Sequence, residues 1–188
     1  MKNVEISISF IFSLLEQCGF NSYDGEPITQ LEHALQCAFL ALHNNATSYQ
    51  VIAALLHDIG HLLPSRELDM QSVWGVVNHG ERGSIVLREL GFPESVTEPV
   101  RLHVSAKQYL CSVESEYFES LSEASKQTLQ LQGGIFSPEE CITFKKEPFW
   151  EEAVQLRRWD ELAKDTNISA NIHPLEYYRS LLLYICRY

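Results

Sequence analysis

Residues 53–63 read Ala-Ala-Leu-Leu-His-Asp-Ile-Gly-His-Leu-Leu, an apolar run that carries His57, Asp58 and His61. Burying a carboxylate without a partner costs several kcal/mol, so three ionisable groups in such a run call for a shared cation. On one continuous helix, His57 and His61 share a face one turn apart, while Asp58 lies roughly 100 degrees round from His57. One ion cannot easily take all three. With two oxygens, Asp58 can bridge two cations, His57 serving one of them and further ligands arriving from other helices. The chain supplies candidates in His33, amid the apolar run 31–42, in His79, in His103 of Val-Arg-Leu-His-Val, and in Asp160 of Arg-Arg-Trp-Asp-Glu-Leu-Ala. Singly, each is more often a satisfied core histidine or a surface aspartate; jointly, they suffice for a dinuclear centre. Imidazole and carboxylate suit iron, zinc or manganese alike. His43 and His173 read as loop residues outside the group.

These side chains need helices to carry them, and the apolar spacing is helical almost throughout, as in Ile6, Phe10, Ile11, Leu14 and Leu15. An all-α bundle is predicted, with helices at about 4–18, 29–44, 48–63, 79–90, 93–110, 115–131, 138–144, 148–163 and 175–186. Thr29 with Glu32 forms a capping-box signature, and Gly19 and Gly91 mark helix ends. Period-two alternation with hairpin signals is absent, so no sheet is predicted. Two segments read as loops able to border a site: 21–28, with Tyr-Asp-Gly-Glu-Pro, and 133–138, with Gly-Gly and Ser-Pro.

The 188 residues suit one domain spanning 1–188, with 45% hydrophobic and 21% charged residues, an ordinary globular balance. A net charge of −11 disfavours nucleic acid and anionic membrane surfaces as partners, so an anionic substrate must be met by local cations or by a metal. Five cysteines without a CxxC pair argue against a disulfide framework and for a reducing cytoplasm. The run 6–15 contains Ser7, Ser9 and Ser13 and reads as a first helix in place of a signal peptide. No apolar run approaches the roughly 20 residues a membrane span needs. No feature bears on oligomeric state.

The order His33, His57-Asp58, His79, His103 and Asp160 resembles the HD-domain superfamily of all-helical metalloproteins. More narrowly, the chain resembles the small mixed-valent diiron oxygenases of that superfamily that cleave carbon–phosphorus bonds, the PhnZ/TmpB type. Two motifs carry the narrower resemblance. In the loop before His33, Tyr23 and Glu26 stand where that family keeps a Tyr that occupies an iron position until substrate arrives; a packed Tyr in a turn is the plain alternative. Lys107, four residues after His103, together with Ser125, Gln132 and Arg157, resembles the family's phosphonate pocket. Arg157 has an alternative partner in Glu161, one helical turn on, in a solvated ion pair worth tenths of a kcal/mol.

The resemblance implies two iron ions in the mixed-valent Fe(II)/Fe(III) state, with O2 as cosubstrate. His33, His57, Asp58 and Asp160 would hold the first iron and Asp58, His79 and His103 the second, while His61 would reach the phosphonate. It implies a small-molecule 1-hydroxyalkylphosphonate substrate, such as 2-amino-1-hydroxyethylphosphonate, cleaved to glycine and phosphate, or its trimethylammonium analogue. Tyr23 would gate the oxygen position and Glu26 would meet the substrate's cationic amine, with Asp24 and Asn21 leaving the quaternary ammonium open. Two other classes share the scaffold: a metal-dependent phosphohydrolase acting on a phosphate ester or nucleotide, and a non-catalytic regulatory module that binds a ligand.

Overall fold

A computed structural model of the chain describes residues 4–23, 25–64, 71–72, 75–76, 78–166 and 172–186; Asp24 lies outside them. The architecture is all-α. In chain order the helices are α1 (Val4–Cys18), α2 (Gln30–His43), α3 (Ser48–Leu56), α4 (Ile59–Leu62), α5 (His79–Leu90), α6 (Glu94–Val113), α7 (Ser115–Ser120), α8 (Glu123–Leu131), α9 (Pro138–Phe144), α10 (Trp150–Leu162) and α11 (Arg179–Ile185). A 3-10 turn, Leu175–Tyr178, leads into α11. No helix among the described residues is long and apolar enough to cross a membrane.

The centre of the bundle is α3. Its residues Val51 to Leu56 are all buried, as expected of a helix that is apolar on every side. Each such aliphatic side chain contributes about 1.5–3 kcal/mol on burial. α2, α6, α10 and α11 pack around α3, and Ile8, Ile11 and Leu15 of α1 join the same core. Helix starts follow the predicted chemistry: the Thr29 hydroxyl accepts from the Glu32 amide at 3.2 Å, and Glu32 Oε2 accepts from the Thr29 amide at 2.7 Å.

Three departures from the sequence reading matter for the site. The helix predicted over 48–63 breaks at His57 and Asp58, where Asp58 adopts φ −98°, ψ 9° before α4 begins. The break follows from close packing, since a Cβ on Gly60 would stand 2.0 Å from the His79 carbonyl oxygen, so only glycine admits α4 against the start of α5. The segment predicted as one helix over 115–131 divides into α7 and α8, with Ser122 as the N-cap of α8, accepting from the Ser125 amide at 3.1 Å. A two-residue antiparallel ladder, Gln71–Ser72 (β1) with Gly75–Val76 (β2), stands where no strand was predicted.

Candidate metal centre and anion cleft

Four imidazoles reach the centre from four elements, and each is fastened by its other ring nitrogen. His57 Nδ1 lies 2.8 Å from the Ala54 carbonyl, His79 Nδ1 2.8 Å from that of Val76, and His103 Nδ1 2.6 Å from that of Val100. In each case the partner is the residue three positions earlier. His33 Nδ1 instead reaches across the bundle to the Ala163 carbonyl at 2.8 Å. A carbonyl only accepts, so every Nδ1 carries a proton, and in the neutral ring every Nε2 presents a bare lone pair.

Those lone pairs converge. His33 Nε2 is 3.2 Å from His57 Nε2, and His79 Nε2 is 2.9 Å from His103 Nε2. Two bare nitrogens at hydrogen-bond distance repel unless a cation or proton lies between them. Asp58 divides the set, with Oδ2 3.2 Å from His57 Nε2 and 3.7 Å from that of His33, and Oδ1 3.3 Å from His79 Nε2 and 3.6 Å from that of His103. Asp160 Oδ1 completes the first group at 3.3 Å from His33 Nε2 and 3.8 Å from His57 Nε2. The donors therefore fit two cations that share the Asp58 carboxylate, each histidine oriented by a backbone carbonyl behind it. His57 keeps helical dihedrals (φ −60°, ψ −35°), so Asp58 follows it as the next helical residue, and the break at Asp58 redirects the chain beyond it into α4.

Electrostatics agree with a ligand set. Burial alone would raise the Asp58 carboxyl, but His57, His103 and His79 outweigh it and hold its pKa well below the usual carboxylate range. Asp160 is likewise pushed up by burial and held well below that range by Arg157 first, then His33 and His57. Burial, with His61 adding to it, keeps His79 well below its ordinary value. Burial would depress His57 too, but the Asp58 carboxylate raises it well above the ordinary value. A cation arriving between the two displaces that proton.

His61 has the opposite polarity. The Val76 amide donates to His61 Nδ1 at 3.3 Å, which places the ring proton on Nε2, while the Val76 carbonyl serves His79. The unpredicted β2 thus sets two tautomers with one residue. The His61 ring stacks on His79 at 4.0 Å, near enough to Asp58 and His79 to be grouped with them, and burial holds its pKa at about 4.

Beside the two groups opens a cleft of about 580 Å³, counting its mouth, lined by every predicted substrate residue: Glu26, His61, Lys107, Ser125, Gln132 and Arg157. Lys107 is buried, donates to Thr128 Oγ1 at 2.8 Å, and has its pKa lowered to about 7, first by burial and then by Arg157. Tyr23 stacks on His33 at 3.8 Å and donates to Asp160 Oδ1 at 3.3 Å, so its ring lies against the first ligand group. Gln132 Oε1 is buried without a hydrogen bond, beside Gly133 and Gly134, whose positive φ values (106° and 81°) turn the chain away from α8. The Arg157–Glu161 pair exists, but burial corrects its predicted character. Arg157 is 5% exposed and holds the metal-group carboxylate Asp160 as well as Glu161, with Tyr117 Oη at 2.8 Å from Nε. His43 is the last residue of α2, its ring tilted against Phe39, and like His173, stacked on Tyr177, it lies apart from the group.

Sequence reasoning missed Lys164, which lines the same cleft. It follows Asp160 by four residues, the same interval by which Lys107 follows His103, and that repeat was the available signal.

The HD domain family model matches residues 31–165, which spans the whole set from His33 to Lys164. The chain is 45% identical over 159 residues to the hydroxymethylphosphonate dioxygenase of Gimesia maris, covering 84% of this chain and 78% of that protein. It is 41% identical over 159 residues to the glycine-betaine-forming [1-hydroxy-2-(trimethylamino)ethyl]phosphonate dioxygenase of Leisingera caerulea, covering 84% and 80%. A protein of Acanthamoeba polyphaga mimivirus, L432, is 37% identical over 185 residues, covering 97% and 83%. With buried His/Asp groups inside the matched segment, the chain belongs to the HD-domain superfamily, in the branch that holds the phosphonate-cleaving dioxygenases.

Proposed function

We propose that the protein is an iron- and O2-dependent oxygenase that cleaves the C–P bond of a 1-hydroxyalkylphosphonate. The observation that carries this is the Asp58 carboxylate, turned with one oxygen toward each imidazole pair at the floor of a cleft that bears buried cations. The similarity to two hydroxyphosphonate dioxygenases supports the same chemistry. The set His33, His57, Asp58 and Asp160 would hold one iron and Asp58, His79 and His103 the other. When bound as an Fe(II)/Fe(III) pair, these irons supply O2 activation and a Lewis acid for the substrate hydroxyl.

The protein's own groups do the positioning. His61 presents an Nε2 proton to a phosphonate oxygen, while Lys107 and Arg157 balance the dianion in a chain whose overall field repels it. Gln132 and Ser125 offer further polar contacts. Tyr23 lies over the first ligand group, where it can cover the site before substrate arrives. With hydroxymethylphosphonate as the simplest substrate, the C–P and C–H bonds supply four electrons to O2, yielding formate, phosphate and one proton. Other hydroxyalkyl groups would yield the corresponding carboxylate. We place the reaction in the cytoplasm, where the five cysteines, none of them in a disulfide, stay reduced.

The test is metal analysis with electron paramagnetic resonance on the aerobically purified protein. Two irons per chain and a coupled Fe(II)/Fe(III) signal that changes on adding a hydroxyphosphonate support the proposal. A protein that releases phosphate from phosphate monoesters without O2, using zinc or manganese, would instead be a phosphohydrolase.

A further inference from the structure

Lys164 joins parts of the cleft that the ligand group does not touch. Its Nζ lies 2.8 Å from Glu161 Oε1, 2.9 Å from Ser125 Oγ and 3.1 Å from Ser122 Oγ, and 3.4 Å from Glu26 Oε1. An ammonium has three protons, and the first three partners use them. Glu26 Oε1 is buried and, among the described residues, has no hydrogen bond, so what it receives from them is the charge of Lys164. The lysine is pinned to α8 and α10, whereas the loop that carries Glu26 is held to it by attraction alone.

Glu26 and Tyr23 share one turn: the Glu26 amide donates to the Tyr23 carbonyl at 2.7 Å, and the Tyr23 amide donates to the Ile28 carbonyl at 2.8 Å. What holds Glu26 therefore also places the Tyr23 ring on His33 and Asp160. Resting on the oxygenase reading above, we infer that Lys164 is a positioning residue whose charge seats the Tyr23–Glu26 turn over the metal group and leaves Glu26 Oε1 open to a donor on the substrate. An arriving hydroxyl or ammonium takes that oxygen without breaking a hydrogen bond to it, and the contacts of Tyr23 with Asp160 and His33 are what it must displace. Lys164 itself stays in place.

Two variants and two readouts test this. In the metal-free protein, Lys164→Met is expected to speed hydrogen exchange at the Tyr23 and Glu26 amides about tenfold, while Lys164→Arg, which keeps the charge, stays near wild type. In the iron-loaded enzyme, Lys164→Met is expected to raise KM for hydroxymethylphosphonate several-fold and to consume O2 in excess of phosphate released. Iron content should be unchanged, since among the described residues Lys164 bonds to none of the six ligands, and Lys164→Arg restores coupling. The inference is overturned if Lys164→Met leaves both loop exchange and the O2-to-phosphate ratio at wild-type values, or if Lys164→Arg fails as badly as Lys164→Met. Failure of the wild-type iron protein to release phosphate from any hydroxyphosphonate would sink the oxygenase reading instead, and the exchange measurement on metal-free protein would still decide the role of Lys164 in the loop.

Discussion

The two walls of the site are built on different principles. On the metal side, each imidazole is locked by a backbone carbonyl, three of them by the carbonyl three residues earlier, so the geometry is set by local chain conformation. On the anion side, Arg157, Lys164, Ser125 and Glu161 hold one another, side chain to side chain, while Arg157 reaches Tyr117, 40 residues away in sequence, and Lys107 reaches Thr128. The first wall is rigid before any ligand arrives. The second is a charge network in which one change disturbs several contacts, and it is joined to the first where Arg157 grips Asp160.

That contrast orders the expected effects. Asp58→Ala removes the carboxylate shared by both imidazole pairs, and we expect loss of bound metal with activity falling on the order of a thousandfold. Unchanged metal content would remove every version of the metal centre. Arg157→Leu strikes the junction of the two walls. It removes the guanidinium from the buried Asp160 carboxylate, while Glu161 keeps Lys164 and Ser125, so chemical denaturation should report a loss of about 3–5 kcal/mol, and Arg157→Lys should recover little because a point charge cannot reproduce the forked contacts.

Lys107→Met tests the anion wall alone. Burial lowers the Lys107 pKa to about 7, so the ammonium is fully present below that pH and is lost as pH rises through it. Its contribution to holding a phosphonate follows the same course. The wild-type advantage in kcat/KM over Lys107→Met should be roughly 10- to 100-fold at pH 6, from one lost charge-assisted hydrogen bond, and should shrink toward unity by pH 9. An advantage that grows with pH would contradict this sign. At the small end, His43→Ala, outside both walls, should change stability by less than about 0.5 kcal/mol and leave metal content intact.

The same contrast explains what could be read from the chain. His33, His57 and Asp58 were visible because polar groups in apolar helical runs are costly and therefore conspicuous, while His79, His103 and Asp160 were read only as members of the joint pattern. The helix boundaries followed from Thr29, Gly91 and the apolar spacing. The break at Asp58 was not visible, because it comes from α4 meeting α5 at Gly60, a contact between segments with no local signature. The role of Val76 was hidden for the same reason, since it acts through its backbone and any residue has one. Tyr117 resembles an ordinary core residue in sequence, and only the fold brings it onto Arg157, while Lys164 resembles a surface lysine and only the fold brings it onto Ser125 and Glu26.

The central claim is that the paired ligand groups and the cation-lined cleft work as one site for oxidative C–P cleavage. Its most direct test measures O2 consumed and phosphate released together, by the iron-loaded protein, over a panel of hydroxymethylphosphonate, 2-amino-1-hydroxyethylphosphonate and the trimethylammonium analogue. The account predicts one phosphate per O2 with at least one of these substrates and none under argon. Phosphate release that persists without O2, or O2 uptake without phosphate for all three, would contradict it.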